Sequence, residues 1–65
     1  MIINVDTLIA DQGTVVVFTG LDPDDGTRLV IAVDHRMAQD IVDAIDDGPV
    51  PTFVEHWQVL GRSEP

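Results

Sequence analysis

TVVVFTGLDPDDGTRLVIAV runs from Thr14 to Val33, and the reading of its middle decides the fold. Either DPDDG is a cation loop or it is a bend joining two strands. An EF-hand loop needs acidic ligands at positions 1, 3 and 5, Gly at 6 and a bidentate Glu at 12. With Asp22 as position 1, Asp24 fits position 3. Positions 5, 6 and 12 then fall on Gly26, Thr27 and Val33, and all three fail. Turn chemistry fits instead. Pro23 has the fixed φ of a turn's second residue, Asp side chains bond nearby backbone, and Gly26 accepts a positive φ. TVVVFT (Thr14 to Thr19) and TRLVIAV (Thr27 to Val33) are rich in β-branched residues, so they read as the two strands of a hairpin.

Outward from the hairpin, Ile2 to Ala10 reads as a strand, broken near Asp6–Thr7, and Gln12–Gly13 as a turn. On the other side a helix begins at Asp34, whose carboxylate suits the N-cap. Met37, Ala38, Ile41, Val42, Ala44 and Ile45 recur at three- and four-residue spacing and form its core stripe. Arg36, Gln39, Asp40, Asp43, Asp46 and Asp47 take the other side. Gly48 fits the left-handed C′ position, and Pro49 blocks continuation. TFVEHWQVL (Thr52 to Leu60) reads as the last strand. The expected fold is α+β: a four-stranded, mainly antiparallel sheet in the order β-β-β-α-β with one helix on one face. Residues 1–61 form a single domain and 62–65 a frayed tail.

The strand pattern carries a further expectation. Alternation lets Val15, Val17, Leu29, Ile31 and Val33 point one way and Val16, Phe18, Val30 and Ala32 the other. Both faces are apolar, and one helix covers one of them. The second face needs another layer. A second copy of the chain is the simplest, since two-fold homodimers dominate soluble oligomers. The alternative is that Ile2 to Ile9 folds over that face. Size points the same way. A 65-residue chain is near the lower limit for an unaided core, and the absence of Cys removes disulfides and thiolate metal sites. Self-association into a homodimer or higher oligomer is therefore expected.

Twelve acids stand against three Arg and no Lys, a formal charge of −9. Hydrophobic residues at 45% are too many for an acidic disordered tail, so this is a folded acidic domain. Its field repels nucleic-acid phosphates and anionic membranes and favours basic protein surfaces. MIINVDTLIADQG lacks a basic leader region, and the longest apolar runs, such as Leu29 to Val33, are too short to span a bilayer. A cytoplasmic location is expected.

Few residues offer chemistry. Ser63 is the only Ser and falls in the tail, and Cys, Lys and Tyr are absent, so no catalytic residue is assigned. Glu55 and His56 are adjacent in a strand and point oppositely, so they make no metal pair, and no metal or cofactor is assigned. Arg28, His35 and Arg36 could cradle an anionic nucleotide at the helix start; the plainer reading pairs Arg36 with Asp40 at i, i+4. Trp57, the only Trp, suits the core or a dimer interface, or an external contact. Asp40, Asp43, Asp46 and Asp47 make an acidic patch, three of them unfavourably near the negative end of the helix dipole.

The hairpin, VDHRMAQDIVDAI and EHWQVLG together resemble small proteins of actinobacterial phage genomes. The similarity covers Val15 to Gly61. It implies a phage accessory protein acting in a host cytoplasm, with no assigned chemistry. Three functional classes follow. The first is a non-catalytic protein that binds a partner, a basic host protein, through Trp57, His56, His35 and Arg36. The second is a DNA mimic whose carboxylates occupy a DNA-binding protein. The third is a nucleotide sponge built on Arg28, His35 and Arg36.

Overall fold

The computed structural model describes residues 1–63 and is an α+β fold with one helix and an antiparallel sheet. The elements are β1 (Ile2–Asp11), β2 (Val16–Leu21), β3 (Arg28–Val33), α1 (His35–Ile45), β4 (Val50–Phe53), a 3-10 turn (His56–Gln58) and β5 (Val59–Arg62). The sheet has five strands, not four, in the order β4-β1-β2-β3-β5. The segment expected as one last strand, Thr52 to Leu60, is divided by the 3-10 turn. Its two halves lie at opposite edges of the sheet. Arg62 belongs to β5, and the Ser63 N–H donates to the Arg28 carbonyl at 2.9 Å. Two residues of the tail expected at 62–65 are thus held against β3, and the other two, 64 and 65, lie outside the described residues.

The central hairpin forms as the turn chemistry requires. The Asp22 carboxylate accepts from the Asp24 N–H at 2.9 Å, and the Asp25 carboxylate accepts from the Thr27 N–H at 2.8 Å. Gly26 takes φ 76°, and its N–H donates to the Asp22 carbonyl. The Asp22 and Asp25 carboxylates are thus committed to the bend.

Hairpin register overturns the expected faces. Val16 pairs with Val33, Phe18 with Ile31 and Gly20 with Leu29, so these six share the inner face with Ile3 and Val5 of β1. Val17, Thr19, Val30 and Ala32 share the outer one. Because strand side chains alternate with period two, a one-residue slip exchanges the faces, and composition alone cannot choose between two apolar sets.

β1 does not fold over the sheet as a roof. It is a ladder strand between β4 and β2, with register shifts between Val5 and Thr7 and between Leu8 and Ala10. Asp6 and Ile9 are therefore left without partners on β2, and Asp6 stands where the sequence suggested a break. Such bulges bend a strand and re-aim a side chain. At Gly20 the backbone of β1 lies close against β2. A Cβ there would lie 2.6 Å from the Asn4 carbonyl oxygen and 2.8 Å from the Val5 Cα.

The core lies on the inner face: Ile3, Val5, Val16, Phe18, Ile31 and Val33 from the sheet, Ala38 and Ile41 from α1, and Val54. Asp34 caps α1, its carboxylate accepting from the Met37 N–H at 2.7 Å. Met37, Ala44 and Ile45 are half-buried, whereas Val42, at the margin of the stripe, is exposed. α1 ends at Ile45 with Asp46 as its C-cap, so Gly48 lies one position beyond the expected C′. Val54 is fully buried, so the stretch from β4 to β5 crosses the inner side. The inner face is thus covered by α1 and by this crossing segment together. No described helix is long and apolar enough to cross a membrane.

Candidate functional site

The crossing segment holds the most exposed large apolar side chain among the described residues. Trp57 is 79% exposed, which removes the core reading of this residue. It stands on a turn that is tied at several points. The Gln58 N–H donates to the Glu55 carbonyl, and the Glu55 N–H donates back to the Gln58 side-chain oxygen, both at 2.9 Å. The Gln58 amide reaches the Ala32 carbonyl of β3 at 3.4 Å, and buried Val54 anchors the turn from beneath. His56 is exposed beside Trp57, and Glu55 precedes both. The relation expected from a strand, with Glu55 and Trp57 on one face and His56 on the other, is replaced by a 3-10 turn that presents the three in succession. A spacing signal was available: Glu55 and Gln58 stand at the capping-box separation.

The basic residues are not gathered. Arg28 opens β3, and His35 follows its far end. Five strand steps of about 3.3 Å hold these two termini apart, so Arg28 does not join His35 and Arg36 in one cradle. Arg28 is also engaged. Its two terminal nitrogens donate to the two carboxylate oxygens of Asp6 at 2.8 and 3.0 Å. That bidentate bond, the largest cause, lowers the Asp6 pKa, with the Thr7 hydroxyl adding to it and desolvation opposing. His35 Nε2 lies 3.0 Å from the Asp11 carboxylate and fastens the start of α1 to the end of β1. Asp11 also accepts from the Gly13 N–H at 3.0 Å, and this bond, then His35, lowers its pKa.

These two are the contacts within 4.0 Å between a basic side chain and a carboxylate among the described residues. Arg36 therefore does not pair with Asp40, contrary to the i, i+4 expectation. Asp40, Asp43, Asp46 and Asp47 are exposed, and none has a cationic partner within 4.0 Å. Arg36, Asp40, Asp43 and Asp47 are spaced by four, three and four, and so follow one strip of the helix and its terminal turn.

The outer sheet face has a different character. Val17 and Thr19, on the central strand, are 5% and 7% exposed although no element lies over them. Cross-strand neighbours crowd them: Ala10 and Ala32 beside Val17, Thr7 and Val30 beside Thr19. The Thr19 hydroxyl donates to the Leu29 carbonyl at 2.9 Å. Apolar side chains stay exposed at one corner, where Ile2 faces Phe53 across β1 and β4 and Leu21 follows on β2.

Comparison with protein-family models, curated proteins and solved structures found no match.

Proposed function

We propose that this chain is a small non-catalytic binding protein that engages a basic partner through the Trp57 turn. The observation that carries the reading is the exposure of Trp57 on a turn tied down by hydrogen bonds. A large aromatic in water on a pre-ordered support costs little entropy to bury, and Trp is enriched at interface anchors. His56 and Glu55 add polar contacts at its sides. The partner's charge follows from the chain's own: a formal charge of −9, with the four carboxylates of the α1 region unmatched, draws basic surfaces and speeds their encounter. An accessory protein acting on a host protein in the host cytoplasm, as the phage resemblance implies, accords with such a surface.

Trp57 is also the natural reporter, being the only Trp. Titration with arginine-rich amphipathic peptides should shift its emission to the blue. Trp57→Phe, read by the peptide's own label, should weaken binding less than Trp57→Ala. Binding that is unchanged in Trp57→Ala would remove the reading.

A second reading, mimicry of a nucleic-acid backbone, draws on the strip of Asp40, Asp43 and Asp47. It predicts capture of a DNA-binding protein that collapses with added salt and with Asp40→Asn/Asp43→Asn but is indifferent to Trp57→Ala.

A further inference from the structure

We infer that the outer sheet face docks on the same face of a second copy of this chain, forming a two-fold dimer in which Asp6 of each protomer lies opposite the partner's Arg28. The proposal is independent of the Trp57 reading, since Trp57 belongs to the segment crossing the inner side.

Three observations select a second copy as the occupant. The first is charge. The chain carries twelve acids, and Asp6 is the one described acid whose side chain engages the outer face. The others described occupy the DPDDG bend, the α1 region, the Asp11 strand end and the Glu55 turn. Arg28 neutralises Asp6 there, so this is a sheet-wide surface without net charge on a molecule of −9. A basic partner has no electrostatic reason to choose it. Two like-charged copies do, because other approaches bring unmatched carboxylates together.

The second is self-complementarity. A two-fold interface sets one patch against itself, so each group must meet its complement in an identical surface. A patch with one cation and one anion satisfies that condition, and the acid strip of α1 does not. The apolar corner of Ile2, Leu21 and Phe53 satisfies it as well, apolar against apolar.

The third is that the sheet edges are blunted, which directs association to a face. Val54 exchanges N–H and carbonyl bonds with Met1, so alternation turns Thr52 and Val50 toward β1 and Pro51 outward. Pro51 has no N–H to offer an added strand. β5, at the other edge, is interrupted by a register shift at Leu60.

Sedimentation velocity across a concentration series tests the proposal, with far-UV circular dichroism confirming that each variant is folded. The expected result is a concentration-dependent dimer that tightens as salt screens the acids at its rim. Phe53→Glu, at a position 58% exposed in the single chain, should weaken it about tenfold or more. Arg28→Gln should do the same by leaving Asp6 unmatched. Adding Asp6→Asn to Arg28→Gln should restore association, which loss of a merely structural contact would not. Trp57→Ala should leave it unchanged. A monomer at every concentration and salt overturns the proposal. So does a dimer that survives both Phe53→Glu and Arg28→Gln, or one that Trp57→Ala dissolves. The last outcome would leave the Trp57 surface standing as a binding site with a copy of the chain as its occupant.

Discussion

The Asp6 carboxylate reaches over the central strand from β1 to grip both terminal nitrogens of Arg28 on β3, at 2.8 and 3.0 Å. The two residues lie on strands that do not touch, so the pair fastens the sheet across β2. Its contribution depends on pH with a definite sign. The bidentate Arg28 bond holds the Asp6 carboxyl below the ordinary aspartate range. A group whose folded pKa is depressed stabilises the fold above its unfolded pKa and loses that contribution as pH falls through the folded one. Asp6→Asn should therefore lower the urea midpoint at neutral pH, and the difference from the parent chain should close in acid, as pH falls through the folded pKa. Denaturation at both pH values in dilute protein checks this; a gap that persists in acid would assign the loss to the bulge instead.

Gly20 should tolerate no side chain. Beside the Ile3 side chain, its neighbours are the Asn4 carbonyl oxygen and the Val5 Cα, backbone atoms that cannot swing aside as a flexible side chain would. Gly20→Ala should force β1 away from β2 and cost about 3 kcal/mol or more, as overpacking of a tight site does. Thermal melting with near-ultraviolet dichroism measures it. A variant that melts with the parent would mean that β1 has freedom to retreat.

The α1 cap should be separable from the rest of the fold. Asp34→Ala removes the acceptor of the Met37 N–H and should cost about 1 kcal/mol, while Asp34→Ser or Asp34→Asn should retain most of it. Urea midpoints of the three variants rank them, and an Asp34→Ala chain as stable as Asp34→Asn would argue against the cap.

The local elements were legible because local chemistry settles them. Asp22, Pro23 and Gly26 force a bend, the valines on either side prefer strands, and Asp34 starts a helix whose apolar residues recur at the right spacing. The pairing was not legible, because it is decided between segments. Val16 and Val17 are identical in chemistry, and only their partners Val33 and Ala32 separate core from outer face. Thr52 to Leu60 is apolar enough for one long strand; what divides it is the anchoring of Val54 in the core and the return of Gln58 to Ala32, both long-range contacts. Arg28 likewise looked available for a ligand because its partner Asp6 stands 22 positions away.

Asp43 and Asp46 lie toward the negative end of α1 with no cation near them. Replacing both with Lys should stabilise the helix by about 0.3 kcal/mol or more at low salt, an effect that fades as salt is added. If the acids serve a basic partner, the same double variant should bind arginine-rich peptides more weakly. Peptide binding that is unchanged while stability rises would reduce the acid row to a matter of composition.

The crossing segment should divide cleanly between support and contact. Val54 is fully buried beneath the turn and Trp57 stands in water, three residues apart. Val54→Ala removes buried methyl groups from the core and should cost about 2 kcal/mol. Trp57→Ala removes a far larger side chain, yet it should leave stability within about 0.5 kcal/mol, as exposed substitutions do. The order of the two effects should reverse when peptide binding is read, because Val54 acts only by holding the turn in place. Melting curves and peptide titrations of the same two variants give both orders. If Trp57→Ala is the more destabilising, the indole packs against the fold in solution and the turn is not the contact surface.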